Sequence, residues 1–364
     1  MATNKNQHFV PRCYLRQFTS DGNDKSISLY NIERNRFIEG APVKNQCSGD
    51  YFYGKDPLLE EAIQAIEQSY ATAIREIIRP GYQLTDEHCS VLQLFWLMQH
   101  LRTEAASKRA VEMSNSMASI VESDHVDFKL QIRDAVQIAM QAFYESMDIV
   151  SDLRVCLVKN RSNIPFITSD DPAVLSNRWH LQIARKTGLS FGLNSAGALL
   201  FLPISPTILF LAYDQNIYNI PSKKGWVDLR RDVDANAFNQ HQFLNCRANL
   251  FVKNPQHFEL IQTAFLEVFK HRPPARHRMH YAVLDKTGDG YERYVVVDYE
   301  KAGQHETAII HTQAVHTVPT TWPQQVLWRA DGSYFYNGTG VGYVRQASAP
   351  LSGTSPFSRF RAFP

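Results

Sequence analysis

Near residue 152 the hydrophobic period of this chain changes, and that change narrows the available folds more than any other feature. Between residues 57 and 78, Leu59, Ile63, Ile66, Tyr70, Ile74 and Ile77 recur at three- and four-residue steps, the spacing of one helix face. Asp56-Pro57 opens this helix and Pro80-Gly81 closes it. "LTDEHCSVLQLFWLMQHLRTEAASKRAVEM" predicts one longer helix, with Thr85 or Asp86 as its N-cap. Its middle, "VLQLFWLM", is apolar almost all round, which implies burial between other elements. A third helix is predicted over 124–148, with Phe128, Ile132, Val136, Met140, Phe143 and Met147 on one stripe.

Beyond residue 152 short strands take over: "LRVCLVKN", "PFITSD", "ALLFLPIS", "TILFLAYD" and "RANLFVKN". Two helices are expected among them, in "DLRRDVDANAFNQHQFLNCRA" and "PQHFELIQTAFLEVFKHR". A small hairpin is expected earlier, in "SISLYNIERNRFIEG". A later one turns at Gly288-Asp289-Gly290, and two further strands flank Asp331-Gly332. The fold class is α+β: an N-terminal helical half packed on a mostly antiparallel sheet, with a small β-rich C-terminal extension. The expected division is a domain over 1–271, the extension over 272–346, and a Ser/Pro/Ala-rich, poorly ordered tail over 347–364.

Charge and cysteine usage exclude several function classes. The 38 basic and 36 acidic residues leave a net charge of +2, so bulk charge does not mark a nucleic-acid binder, although a local patch is still open. Cys13, Cys47, Cys89, Cys156 and Cys246 are scattered and odd in number, which argues against a disulfide framework or a zinc ribbon. A reducing, cytoplasmic location is expected. The first residues hold no apolar signal core, and no apolar run approaches the ~20 residues that span a bilayer, so no membrane partner is expected.

Polar residues in apolar company supply the candidate site. "PFITSDDPAVL" ends a buried strand in Ser169-Asp170-Asp171-Pro172. Either Ser169 or Asp170 makes a local side-chain turn, or Asp170 is a site carboxylate at a rigid strand end. His8 adjoins Phe9 and Val10; it is either a half-buried, hydrogen-bonded histidine or a general acid or base. Glu67 lies against the apolar stripe of its helix. Gln99 and Arg102, three apart, share a face just after the all-apolar stretch. An arginine on so buried a helix requires a carboxylate or a bound anion, and Glu67 and Asp170 are its natural partners. Asn239, His241 and Asn245 fall on a helix where such residues are mostly solvated. "RHRMH" at 276–280 suggests the charged start of a strand rather than a metal cluster.

His8-Phe9-Val10-Pro11, then Tyr14-Leu15 and Phe18, resemble the opening of the DUF4238 family, a group with no assigned function. The resemblance continues through Glu67, Gln99 to Thr103, Phe166 to Pro172, Leu202 to Pro206, and Asn239, and it covers about residues 8–255. It implies an α+β domain and groups His8, Glu67, Gln99, Arg102, Ser169, Asp170 and Asn239 as one set. From that set we expect a hydrolase for a phosphodiester, in a nucleotide or nucleic acid. His8, Glu67 and Asp170 would be catalytic, and Gln99, Arg102, Ser169 and Asn239 would bind substrate. Glu67 and Asp170 could hold Mg or Mn as hard oxygen ligands. A nuclease serving bacterial defence is one such enzyme. Alternatives are a non-catalytic interaction module in which these residues form a structural polar network, and a sensor of a small anionic ligand.

Overall fold

Two adjacent strands, Leu199–Ser205 and Ile208–Tyr213, are buried along their whole length, and their alternation shows why. Leu200, Leu202, Ile204, Phe210 and Ala212 face one apolar cluster, whereas Leu199, Phe201, Leu209, Leu211 and Tyr213 face another. A strand apolar on both faces needs a layer on each side. The computed structural model describes residues 5–20, 24–120, 130–184, 189–288, 291–305, 308–352 and 356–363. In it these strands form the centre of a five-stranded sheet with Val174–Ser176, Arg154–Asn160 and Trp226–Leu229, antiparallel except for the last pair. The fold is α+β.

The first layer is helical: α1 (Arg12–Leu15), α2 (Pro57–Ile77), α3 (Asp86–Arg102), α4 (Glu104–Ile120) and α5 (Ile132–Glu145). Helix α2 begins where Asp56 accepts a hydrogen bond from the Leu58 N–H at 2.9 Å and Pro57 occupies the first turn. The all-apolar stretch of α3 buries Leu92, Phe95, Trp96, Leu97 and Met98, and the Trp96 indole donates to the Phe201 carbonyl at 3.0 Å. This pins α3 to the sheet. The single long helix expected over this stretch is two. At Thr103 the backbone turns extended (φ −66°, ψ 156°), and the Thr103 hydroxyl accepts from the Ala106 N–H at 3.1 Å, starting α4 as an N-cap. The predicted third helix is α5; its expected first residues, including Phe128, lie outside the described ones.

The second layer combines α6 (Arg178–Gln182), α7 (Asp232–Asn245) and chain after residue 320: Phe238, Trp179, Val326 and Ala362 share one cluster with the sheet. A second, four-stranded sheet runs Arg36–Pro42, Ser26–Asn31, Asn249–Phe251, Thr168–Ser169, all antiparallel. Helix α8 (Phe258–Phe269) covers it. The late hairpin forms between His277–Gly288 and Tyr291–Val297, with its turn outside the described residues.

The C-terminal end departs from expectation. Leu327–Trp328 pairs with Tyr218–Asn219, and Ser333–Tyr336 pairs with Ser358–Arg361 rather than with its neighbour across Asp331-Gly332. The stretch expected as a loose tail thus contributes a strand, and the Trp179 indole donates to the Ala362 carbonyl at 3.0 Å. Arg345 is buried and bonds both carboxylate oxygens of Asp152. The sheet's second face needs this cover, which is why a Ser/Pro-rich sequence is held in place.

Candidate functional site

Helices α2 and α3 bring Glu67 and Arg102 together. Arg102 is the last residue of α3, fully buried, and its Nη2 donates to Glu67 Oε1 at 2.8 Å. Glu67, at the edge of the α2 stripe, keeps 24% of its side chain exposed. With the Gln99 amide turned so that its oxygen faces the guanidinium, Gln99 accepts from Arg102 Nη2 (2.6 Å) and Nε (2.7 Å) and donates to the Phe9 carbonyl at 3.2 Å. The guanidinium also lies 5.7 Å from the Tyr53 ring centroid. Burial works against the Arg102 charge, but Tyr53 and Glu67 outweigh it and hold the group protonated. The Tyr53 side chain interacts with the guanidinium, and among the described residues Arg102 Nη1 has no partner in hydrogen-bond geometry. The Tyr53 hydroxyl beside it gives its proton to the His8 carbonyl at 3.0 Å.

His8 arrives by a different route. The strand Asn6–His8 pairs with Ser48–Asp50, His8 opposite Ser48, and Gln7 accepts from the Tyr53 N–H at 2.7 Å. These contacts set His8 on the wall of a cleft of about 320 Å³ whose lining includes Arg12, Cys13, Tyr53, Glu60 and Glu67. Burial, then the Arg12 charge, lowers the His8 pKa below its ordinary value against the pull of the Val43 and Lys44 backbone, so the imidazole is neutral near pH 7, and among the described residues its Nε2 has no partner in hydrogen-bond geometry. Cys13 donates to the Glu67 carbonyl at 3.8 Å; burial and the Glu67 charge push its thiol up to about 12. A thiol held protonated is no nucleophile.

Of the seven predicted residues His8 and Glu67 line this cleft; Gln99 and Arg102 are buried behind it, and Ser169, Asp170 and Asn239 lie elsewhere. Asp170 Oδ1 accepts from the Arg247 N–H at 2.9 Å, and Oδ2 accepts from Ala248 (2.7 Å) and Asn249 (3.3 Å). The carboxylate thus closes the turn that follows α7. Burial pushes its pKa up to about 6, against the pull of those three N–H groups. Asp171 accepts from Thr103 Oγ1 (2.7 Å) and from Arg109 Nη1 (2.6 Å), so the partner of an arginine here is the second acid of the pair, and the arginine is not Arg102. Glu67 and Asp170 do not share a cation site, and among the described residues no three His, Cys, Asp or Glu side chains are grouped as one.

Asn239 belongs to a row on α7. It accepts from the Ile167 N–H (3.1 Å) and donates to the Pro165 carbonyl (2.9 Å). Gln242 donates to the Pro172 carbonyl and accepts from the Ser169 hydroxyl, both at 2.8 Å, and Asn245 donates to the Asp171 carbonyl at 2.8 Å. Amides at three-residue steps along one helix face therefore hold the strand 165–172 by its backbone. Asn239, His241 and Asn245, placed by the sequence on a mostly solvated face, are buried. The missed signal is the 239/242/245 spacing, which a solvated face does not need. Arg12, Tyr53 and Glu60 were also missed, since nothing in their local sequence departs from an ordinary surface. A separate groove of about 840 Å³, lined in part by Lys159, Arg161, Lys224 and Trp226, holds none of the seven predicted residues.

A family model described as "Protein of unknown function (DUF4238)" matches residues 6–256. No curated protein and no solved structure gave a match.

Proposed function

The chain belongs to the DUF4238 family, and we propose that it is a hydrolase acting on a phosphodiester, in a nucleotide or nucleic acid, at the cleft above Arg102. The observation that carries this reading is the guanidinium itself: fully buried, held charged, flanked by the Tyr53 hydroxyl, and left, among the described residues, with one nitrogen that has no acceptor in hydrogen-bond geometry. In a site of low dielectric its field reaches the cleft even with the atom covered. Arg12 and Arg102 would supply positive potential where charge builds on the phosphoryl oxygens. His8, neutral near pH 7, takes a proton from the attacking water as its oxygen bonds to phosphorus. The imidazolium then returns that proton to the leaving oxygen as the other P–O bond breaks. Glu67, fixed by Arg102, orients the water. Asp170 has no part in this reading, because three backbone N–H groups occupy its oxygens.

A second reading, the non-catalytic network, is favoured by one observation. Glu67, Arg102, Gln99 and the Phe9 carbonyl form one hydrogen-bonded chain that ties the N-terminal segment to α2 and α3. A panel of phosphodiesters, assayed with Mg²⁺, with Mn²⁺ and with chelator, separates the two. Turnover by the wild type that His8→Gln abolishes while folding persists supports the hydrolase. No turnover under any condition, together with unfolding of Arg102→Met, supports the network instead.

A further inference from the structure

Four arginines converge elsewhere with too little negative charge to answer them. A cavity of about 270 Å³ is lined by Arg109 and Glu112 of α4, Asn245 and Arg247 at the end of α7, and Arg272 and Arg276 beyond α8. Arg109 is committed to Asp171 (2.6 Å) and Arg247 to Glu112 (3.0 Å). Arg272 and Arg276 have only neutral acceptors. Arg272 Nη1 donates to the Cys246 carbonyl at 2.6 Å; Arg276 donates to the Leu244 carbonyl at 3.0 Å and to Asn245 Oδ1 at 3.2 Å. Among the described residues neither forms an ion pair. Burial, and the nearby Arg109 and Arg272 charges, push the Arg276 pKa down to about 10. Like charges held together in a partly desolvated pocket call for a counter-ion.

We propose that this cavity binds a compact phosphate-bearing anion, with Arg272 and Arg276 as its principal donors and Arg109 and Arg247 at its rim. The planar guanidinium fork matches phosphate oxygens two at a time, and several forks around one cavity suit a multiply charged group. The cavity volume, about nine times the ~30 Å³ share of a liquid water, admits a phosphate or a pyrophosphate. Half of the ligand set lies within residues 6–256 and half beyond, so the anion would join the family domain to the segment that follows it. This inference does not rest on the hydrolase reading.

The test is thermal unfolding and calorimetric titration of the full chain with inorganic phosphate, pyrophosphate and ATP, each against chloride at matched ionic strength. Pyrophosphate is expected to raise Tm by a few degrees. The double variant R272Q/R276Q should lose that shift, each removed guanidinium weakening binding about tenfold or more. Arg276→Lys, which keeps the charge and loses the fork, should weaken binding while remaining folded. A larger response to ATP than to pyrophosphate would assign the phosphates to a nucleotide, and the reverse to a free anion; both uphold the proposal. A folded wild type that ignores all three anions overturns it, as does an equal response in R272Q/R276Q. Binding of a single-stranded oligonucleotide without any small-anion response overturns it too.

Discussion

Arg102 and Asp170 are both buried charges at the end of a regular element, yet the protein treats them differently. Asp170 has three backbone N–H groups on two oxygens, all from one turn, so both of its oxygens are engaged. Arg102 has Glu67 and Gln99 on Nε and Nη2 and the Tyr53 side chain beside it, and among the described residues Nη1 has no acceptor in hydrogen-bond geometry. Oxygens engaged by the fold's own backbone serve structure, whereas a buried donor with an unmade bond is a standing preference for an acceptor. Burial and charge alone do not separate a site from a strut; the count of unmade hydrogen bonds does.

The sharpest way to break this contrast is at His8. If the cleft works as proposed, His8→Gln lowers kcat on a phosphodiester by about 10²–10⁴-fold, the usual range for a lost general base, while urea unfolding barely moves. An equal rate in the variant would reduce the cleft to packing. At Asp170 the pattern should invert. Asp170→Ala strips the acceptor from three part-buried N–H groups and should cost about 2–4 kcal/mol in unfolding free energy. The rate per folded molecule should be unchanged. A rate loss without a stability loss would move Asp170 back into the site. Asn239→Ala should be milder, about 1–3 kcal/mol, because it frees one N–H and one carbonyl of the 165–172 strand. Chevron or equilibrium unfolding at pH 7 reads both.

Much of this was legible in the written chain. The period change at residue 152 separates helices from strands because burial of one helix stripe and of a two-faced strand leave different spacings. Arg102 with Glu67 could be anticipated, since a guanidinium on an apolar helix must meet an acid. What the spacing could not tell was which acid: Asp170 and Asp171 are neighbours in the chain, but strand geometry sends one to the 247–249 turn and the other to Thr103 and Arg109. The break at Thr103 was hidden for a related reason. Thr103 is an ordinary helix residue until Asp171 takes its hydroxyl proton and frees its oxygen to cap α4. The two strands flanking Asp331-Gly332 were legible, but the last strand, Ser358–Arg361, was not, because its surroundings have the composition of a loop and only its pairing with Ser333–Tyr336 holds it there. Partners from distant sequence decide such positions, and no local window contains them.

At neutral pH the smallest effect is at a histidine, and it grows only as the pH falls. His8, on the cleft wall, can gain a proton without unfolding. His241, under the sheet against Phe201 (ring centroids 4.4 Å) and Trp322 (5.3 Å), is fully sealed, and its Nε2 has no partner. Burial drives its pKa down to about 3. Its folded value lies below the ordinary 6.5, so the folded state prefers the neutral ring. That preference stabilises fully above pH 6.5 and is lost as pH falls toward 3, because the unfolded chain takes up a proton that the fold refuses. The expected slope is about 1.4 kcal/mol per pH unit from this one residue. His241→Phe keeps the ring contacts, loses no hydrogen bond, and should flatten the stability curve between pH 6.5 and 4 by that amount, with neutral-pH stability equal or higher. Urea midpoints at pH 7, 6 and 5 decide it. An unchanged slope would mean that His241 has an acceptor or a water, and that its unmade bond, unlike the one on Arg102, is no guide to what the protein leaves open.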